Sequence, residues 1–196
     1  MNLFKSAREK VLTYKEYIDW VADLVAKQST SGPNQDEVLI KFTQLNLKRM
    51  QRLNKTITLN DELVQKVRQL EKSHEWWVIT EAWCGDSAQN LPFIGKLAEE
   101  SEGKISLKIV SRDYNLELID KYLTNGGRSI PKLVAFDGEQ ELYTYGPRPK
   151  GVQVLADSYK KNPNGKTWDE YEREVHTWYA KDKGQSIQEE MLKLFK

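Results

Sequence analysis

Residues 76–87 read Trp76-Trp77-Val78-Ile79-Thr80-Glu81-Ala82-Trp83-Cys84-Gly85-Asp86-Ser87, so an apolar run leads into the only cysteine of this 196-residue chain. The aromatic and β-branched residues of the first half are typical of a buried β-strand. A helix is predicted from about Ser87 to Ser101, with Pro92 interrupting it. Cys84 is therefore expected between the carboxyl end of a strand and the start of a helix, where open α/β sheets place their chemistry.

The chain beyond this segment continues to alternate between strand and helix patterns. Alternating polar and apolar residues predict strands, and glycine-containing turns separate them from short helices. We predict, in order, a strand at Ile105–Ile109, a short helix at Asn115–Leu123 ended by Asn125-Gly126-Gly127, a strand at Lys132–Phe136, a hairpin turn at Asp137-Gly138, a strand at Glu141–Tyr145 and a helix at Pro149–Tyr159. This order predicts an α/β fold in which helices flank a central mixed sheet.

Helical patterns flank this unit on both sides. Before residue 73, apolar residues recur at intervals of three and four, and we interpret these stripes as core packing, with a partner-binding face as the alternative. After Asn162-Pro163-Asn164-Gly165, Thr167 and Glu170 form a predicted capping box for a closing helix with an aromatic stripe. That stripe is interpreted as a clamp onto the domain, with ligand binding as the alternative. We thus predict an N-terminal helical extension (1–72), a central domain (73–162) and a C-terminal extension with one extra helix (163–196).

Composition excludes several classes of protein. The chain is 39% hydrophobic and 30% charged, and its 30 basic and 29 acidic residues give a net charge of +1. This balance supports a globular core and predicts neither nucleic-acid nor membrane-surface binding. No apolar run reaches the about 18 residues that a membrane span needs, and no leader pattern follows Met1, so a cytoplasmic protein is expected. One cysteine and two distant histidines predict no intrachain disulfide and no metal site, and no cofactor is expected.

Cys84 is the candidate for chemistry. A lone cysteine is by default a small buried hydrophobe, but the start of a helix offers unpaired N–H groups and the positive end of the helix dipole. This position predicts a lowered thiol pKa and a nucleophilic sulfur. Ser87, three residues on, is expected to turn its hydroxyl toward the sulfur.

The stretch Trp83-Cys84-Gly85-Asp86-Ser87, together with Pro92 and Ile130-Pro131, resembles the thioredoxin family, in which a Trp-Cys-x-x-Cys motif precedes a proline-containing helix and a cis-proline. The order and the spacing agree, with 47 residues from Cys84 to Pro131. The resemblance implies a thioredoxin-like fold over about 75–160, a cis bond at Pro131 and a backbone at Ile130 that binds an extended substrate beside Cys84. Trp83, Gly85 and Asp86 would then border the substrate site.

More narrowly, the chain is similar to a bacterial branch of that superfamily with Trp-Cys-Gly-Asp at the site. The motifs that carry this likeness are Arg112-Asp113, Gly126–Pro131, Gly146–Pro149 and the helical flanks. In one departure from the family pattern, Ser87 takes the place of the second cysteine, so the chain cannot complete a dithiol cycle. In the other, the family's buried acid falls near Val78, leaving Glu81 or Asp86 as substitutes. Asp86 would also raise the thiol pKa.

Three functions remain open from the sequence. The first is monothiol thiol–disulfide exchange, in which Cys84 forms a mixed disulfide with a protein or low-molecular-weight partner that an external thiol resolves. Arg128 and Arg148 would then offset Asp86 or hold a substrate carboxylate, while Arg112-Asp113 is interpreted as a structural pair. The alternatives are a redox-inactive binding module and a sensor whose Cys84 is oxidised. The sequence leaves the oligomeric state open.

Overall fold

The strand and the helix around Cys84 form near the predicted positions, but the helix continues through Pro92, where an interruption was expected. In the computed structural model, which describes residues 3–195, β1 (His74–Thr80) ends four residues before Cys84, and α4 (Gly85–Glu100) begins directly after it. The other strands are β2 (Ile105–Ser111), β3 (Lys132–Asp137) and β4 (Gln140–Tyr145). The other helices are α1 (Tyr14–Ala26), α2 (Glu37–Thr56), α3 (Asp61–Arg68), α5 (Leu116–Ile119), α6 (Lys150–Lys161), α7 (Trp168–Asp182) and α8 (Gln185–Leu192), after a 3₁₀ turn at Leu3–Ser6.

The four strands form one mixed sheet in the order β2-β1-β3-β4. β1 pairs with β2 in parallel and with β3 in antiparallel, and β3 pairs with β4 in antiparallel. Parallel pairing brings Thr80 opposite Ser111, so the carboxyl ends of β1 and β2 lie side by side. The predicted α/β class with a central mixed sheet is confirmed.

Both faces of the sheet are covered, as the continuous apolar run of β1 requires. Trp76 and Val78 face a large core built from α1, α2, α3, α4 and α8. Trp77 and Ile79 point to the opposite face, where Phe4 stacks near Trp77 with ring centroids 5.2 Å apart. Cys84 belongs to this second core and follows the carboxyl end of β1.

Most of the flanking helices share the sheet's core, whereas α7 packs with α6 in a separate small cluster. Tyr17 of α1, Met50 of α2 and Met191 of α8 are all buried in the same cluster as Trp76. The boundaries at 72 and 162 stay predictions, and residues 1, 2 and 196 of the two extensions lie outside the described residues.

Local details differ from the sequence-based predictions. The helix predicted over Asn115–Leu123 is a single turn, since Leu116 and Leu123 are exposed and give a longer helix nothing to pack against. Val11 lies three residues before α1 and is exposed, so it is not part of the apolar face of that helix. After α7, Gly184 adopts a positive φ of 78° that starts an additional helix, α8. One extra helix was predicted in this region, and the structure has two.

Membrane insertion of a helix finds no support in the structure. Within residues 3–195, no helix combines the length and the apolar character that crossing a bilayer requires.

Gly95 tests how closely the N-terminal helices pack on α4. Replacing a helical glycine by alanine usually stabilises a protein by about 1 kcal/mol. At Gly95, however, an added Cβ would lie 2.5 Å from the ring of Tyr14. We expect Gly95→Ala to lower the free energy of unfolding by about 1–2 kcal/mol, because overpacking outweighs the gain in helix propensity. Denaturant unfolding measures it.

The Tyr14→Ala background supplies the control. With the ring removed, the same Gly95→Ala change is expected to be neutral or stabilising. A stabilising effect in the wild-type background would contradict the close packing of α1 on α4.

Candidate functional site

Cys84 occupies the N-cap position of α4. Its backbone is extended (φ −76°, ψ 117°), and its carbonyl accepts the first helical hydrogen bond, from the N–H of Ala88 at 3.1 Å. The side chain is buried, with 8% of the residue exposed. The thiol donates a hydrogen bond to the carbonyl of Ile130, 3.3 Å away. The sulfur is thus held between the helix start and the segment before Pro131.

Ser87 lies one helical turn after Cys84, where the resemblance placed a second cysteine. Its hydroxyl oxygen accepts a hydrogen bond of 2.6 Å from the hydroxyl of Thr80, at the end of β1. Both the hydroxyl and the backbone N–H of Ser87 stabilise the thiolate of Cys84 and act to lower its pKa. Ser87 can polarise the sulfur, but its oxygen cannot form a disulfide with it.

Asp86 is the charge nearest to the thiol along the chain. Its carboxylate is largely buried, with 13% of the side chain exposed. One oxygen forms an ion pair of 2.6 Å with the guanidinium of Arg148, and the other accepts a 2.7 Å hydrogen bond from the hydroxyl of Tyr179. Arg148 thus offsets Asp86, one of its two suggested roles. Asn90 donates to the same tyrosine oxygen at 3.2 Å, so the cluster joins α4, the loop before α6, and α7.

The thiol pKa moves in the direction opposite to the main sequence-based prediction. Burial, with a smaller contribution from the Asp86 carboxylate, raises the pKa of Cys84 to about 11. The contributions of Ser87 and Arg148 lower it but do not compensate. The helix start was expected to dominate, but desolvation of the thiolate by the surrounding core outweighs it. Only the upward effect of Asp86 was anticipated from the sequence.

The segment before β3 lies against the sulfur. The Ile130–Pro131 peptide bond is cis, as is the one between Gly146 and Pro147. Ile130 and Pro131 are both buried, and the Ile130 carbonyl accepts the hydrogen bond from Cys84. The backbone at Ile130 was expected to bind an extended substrate, but here its carbonyl serves the protein's own thiol.

Two other arginines border the site. Arg128 does not contact Asp86; it forms a bidentate pair with Asp120 at 2.6 and 2.8 Å, and both side chains are nearly half exposed. Arg112 pairs with Asp113 at 2.7 Å, as predicted, and its guanidinium also lies 4.9 Å from the ring centre of Trp83. Arg112 is thus part of the site's rim, a role that its adjacency to an aspartate in the sequence did not reveal.

The loop that carries Cys84 is fastened from the N-terminal region. The N–H of Ala82 donates to the hydroxyl of Ser31 at 2.7 Å, and the carbonyl of Ala82 accepts from the buried Asn46 side chain at 3.0 Å. Arg49 in turn donates to Asn46 at 2.9 Å. Sequence patterns carry no signal for these two supports beyond Asn46 being a polar residue within an apolar helical stretch.

Glu81, one of the suggested substitutes for the family's buried acid, accepts hydrogen bonds from residues at the carboxyl end of β2. It is fully buried, and one of its oxygens accepts hydrogen bonds from the Ser111 hydroxyl at 2.6 Å and the Asp113 N–H at 2.8 Å. Burial raises the pKa of this carboxyl. Glu81 therefore holds the end of β2 beside the loop.

A pocket of about 510 Å³ opens above Cys84. Seven of the predicted residues line it, namely Trp83, Cys84, Gly85, Asp86, Arg128, Ile130 and Arg148, while Ser87 and Pro131 lie behind its surface. Its remaining wall comes mainly from α2 and α7. Among the residues that the structure describes, no group of three or more acidic, histidine or cysteine side chains is placed to hold a metal ion.

His176 of α7 is a pocket residue that the sequence analysis missed. A Cβ added to Gly85 would lie 3.1 Å from its ring, so the imidazole packs directly on the residue after Cys84. Its Nδ1 lies 3.3 Å from the Gln89 amide, and its Nε2 lies 3.4 Å from Glu172. Burial and the nearby Arg49 lower the pKa of His176 to about 4, which makes the ring neutral at pH 7. The aromatic stripe of α7 was the only sequence signal for this wall.

Comparison with known proteins points to one family. A family model described as thioredoxin matches residues 32–160. Thioredoxin 1 of Nostoc sp. is 37% identical over 60 residues, which cover 31% of this chain and 53% of that protein. The chain thus matches about half the length of this curated relative.

Two solved structures share the overall fold. A protein of unknown function from Pseudomonas aeruginosa superposes with a TM-score of 0.57 at 18% identity, covering 93% of this chain and 96% of that one. An HIV epitope-scaffold gives a TM-score of 0.56 at 16% identity, covering 93% and 97%. At this level of identity the likeness concerns the fold alone, and it extends over the flanking helices.

The charge of Asp86 is expected to control the thiol. In Asp86→Asn, removal of the neighbouring negative charge favours the thiolate, and we expect the pKa of Cys84 to fall by about 1–2 pH units. The pH dependence of iodoacetamide alkylation, followed by intact mass, measures it. Glu99→Gln, which removes an exposed carboxylate from the far end of the same helix, is the matched control. An unchanged midpoint in Asp86→Asn would show that burial alone sets the thiol pKa.

His176 is expected to make the fold acid-sensitive. Its folded pKa of about 4 lies below the 6.5 of a free imidazole, so protons bind preferentially to the unfolded chain below pH 6.5. The contribution of this titration to the free energy of unfolding is fully present above pH 6.5 and is lost as the pH falls toward 4. At pH 5 the free energy of unfolding is lower by about 2 kcal/mol for this reason. His176→Gln lacks this titration, so its disadvantage relative to wild type should shrink by that amount between pH 7.5 and 5. Parallel losses of stability in the two proteins would rule the effect out.

Proposed function

Because the chain belongs to the thioredoxin family, we propose that it is a monothiol disulfide-exchange protein that acts through Cys84. The observation that carries this proposal is the placement of the chain's one thiol at the start of α4, against Ile130 and at the base of a pocket. Ser87 stands where the family motif has its second cysteine. A protein or a low-molecular-weight disulfide would be the partner.

The proposed reaction is a single exchange. The Cys84 thiolate attacks a disulfide, its bond to one sulfur forms as the partner's S–S bond breaks, and the departing thiolate takes up the proton that Cys84 lost. The Cys84 sulfur is oxidised to the disulfide level while the departing sulfur is reduced. Because Ser87 has no thiol, an external thiol must attack the mixed disulfide to regenerate Cys84.

The raised thiol pKa implies that the mixed disulfide forms slowly and persists once it has formed. With a pKa of about 11, little of Cys84 is ionised at neutral pH, so attack on a disulfide is slow. The same property makes Cys84 a poor leaving group, since thiols of higher pKa leave more slowly. A mixed disulfide at Cys84 would therefore outlast one at an ordinary thioredoxin-type thiol.

The same observation favours a second candidate, a thioredoxin-fold binding module without redox turnover. A buried, protonated thiol that donates to Ile130 is what such a module would contain. The two candidates differ in whether a Cys84-dependent adduct forms at all.

Restoring the second thiol tests the proposal. We expect wild-type protein treated with 5,5′-dithiobis(2-nitrobenzoate) to release one equivalent of thionitrobenzoate and to keep the other as an adduct on Cys84. Ser87→Cys should release two equivalents and end free of adduct, because the introduced thiol attacks the mixed disulfide from one helical turn away. Absorbance and intact mass measure the two quantities.

Ser87→Ala is the control, and it should behave as wild type. Loss of the adduct from wild-type protein without added thiol would contradict the monothiol mechanism. The absence of any adduct in folded wild-type protein would leave the binding module.

A further inference from the structure

The pocket above Cys84 is bordered by one helix that precedes the central unit in the sequence and by one that follows it. Leu39 and Phe42 of α2 form one wall, and Tyr171, Val175 and His176 of α7 form the opposite one. The volume of about 510 Å³ lies within the range of pockets that hold small molecules, which is about 300–1,000 Å³. Cys84 thus lies at the base of a pocket that has a wall on each of two sides.

The α7 wall is firmly attached. Tyr179 donates to the buried Asp86 at 2.7 Å, and Tyr171 stacks on Tyr159 of α6 with ring centroids 4.3 Å apart. Trp178 packs so closely on Gly151 that an added Cβ would lie 2.4 Å from the indole. Each contact would have to break before α7 could move aside for a folded protein.

The edge that an extended polypeptide would need is also covered. Only 4% of Ile130 is exposed, and its carbonyl is the acceptor of the Cys84 thiol. Pairing with an added strand requires free backbone groups along an accessible edge. The site therefore offers a pocket for a small molecule but no free backbone carbonyl at Ile130 for an added strand.

The polar lining favours an anionic ligand. Three guanidinium groups border the pocket, from Arg112, Arg128 and Arg148, against the two carboxylates of Asp86 and Glu172. His176 is neutral at pH 7 and adds no charge of its own. Arg112 and Arg148 are tied to largely buried aspartates, but the Arg128–Asp120 pair is nearly half exposed. Because both side chains of this pair are nearly half exposed, Arg128 can exchange Asp120 for a ligand carboxylate without leaving a buried charge unpaired.

We propose that the partner of Cys84 is a low-molecular-weight thiol that carries a carboxylate, received as its disulfide, with Arg128 binding the carboxylate. This inference rests on the proposed exchange reaction and names its substrate class. The disulfide RS–SR and the Cys84 thiol give the mixed disulfide Cys84–S–SR and one RSH. The external thiol, R′SH, then attacks the outer sulfur, which restores Cys84 and releases RS–SR′, so the net reaction exchanges one RS group of the disulfide for R′S. The apolar and aromatic walls pack on the remainder of the small molecule.

Three small disulfides with two-carbon arms separate charge from size. They are 3,3′-dithiodipropionate (anionic), 2-hydroxyethyl disulfide (neutral) and cystamine (cationic); insulin serves as the polypeptide disulfide. The rate of adduct formation at Cys84, measured by intact mass, is divided by the rate with a neutral blocked cysteine peptide, which removes differences in intrinsic reactivity. We expect the normalised rate for the anion to exceed that for cystamine by about tenfold, as a charge-assisted contact allows. Insulin should be slower than the neutral small disulfide by a similar factor.

Variants at Arg128 locate the preference. Arg128→Gln should reduce the ratio of anion to cation by about fivefold, while Arg128→Lys should keep most of it. Arg8→Gln, which removes an exposed arginine paired with Glu117 away from the pocket, is the matched control and should leave the ratio unchanged. Equal normalised rates for the anion and the cation, or an unchanged ratio in folded Arg128→Gln, would overturn the carboxylate-bearing class.

Insulin and the complete set of disulfides distinguish the remaining outcomes. If insulin reacts as fast as the small disulfides, the restriction to small molecules is wrong while the exchange reaction stands. If none of the four compounds forms an adduct at Cys84, the exchange reaction itself is wrong and this inference fails with it.

Discussion

The burial of the Asp86 carboxylate is the constraint around which the site is organised. A buried charge is costly unless it is paired and hydrogen-bonded, and Asp86 obtains both, from Arg148 and Tyr179. The first partner lies in the loop between β4 and α6, and the second lies on α7, ninety-three positions away in the chain. Satisfying one carboxylate therefore brings the closing helix onto the start of α4. With α7 in place, the space above Cys84 becomes a pocket.

The same constraint shapes the chemistry of the sulfur. The start of α4 and Ser87 favour the thiolate, as the position of Cys84 in the sequence suggests, but the walls that α7 and α2 provide remove water from it. Desolvation and the Asp86 charge outweigh the favourable contributions, so the thiol is protonated at neutral pH. A protonated thiol reacts slowly, and once it is in a disulfide it leaves slowly. The serine at position 87 and the raised thiol pKa thus act in the same direction, toward the long-lived adduct of the proposed reaction.

Local sequence patterns predicted the sheet and the position of Cys84, because the apolar run of β1, the turn residues and the start of α4 depend on neighbours in the chain. The resemblance also placed Ile130 beside the sulfur. Contacts between distant residues were out of reach. Arg128 was expected either to offset Asp86 or to hold a substrate carboxylate, and its partner in the structure is Asp120, eight residues before it. Nothing in the sequence identifies Asn46 as the support of Ala82. The thiol pKa was predicted in the wrong direction for the same reason, since burial by α2 and α7 is a property of tertiary packing.

The helical flanks are therefore parts of the site rather than additions to it. Ser31 accepts a hydrogen bond from the N–H of Ala82, and Asn46 donates one to its carbonyl. These two bonds fix the loop that presents Cys84. Phe42 and Val175, one from each flank, line the space that a partner must enter. The central unit supplies a sulfur, a helix start and the Ile130 carbonyl, which are the parts that the proposed disulfide exchange uses. In that reaction the flanks would limit the size of the molecule that reaches the sulfur and Arg128 would select its charge, so selectivity would reside in residues outside the strand–cysteine–helix segment that defines the fold.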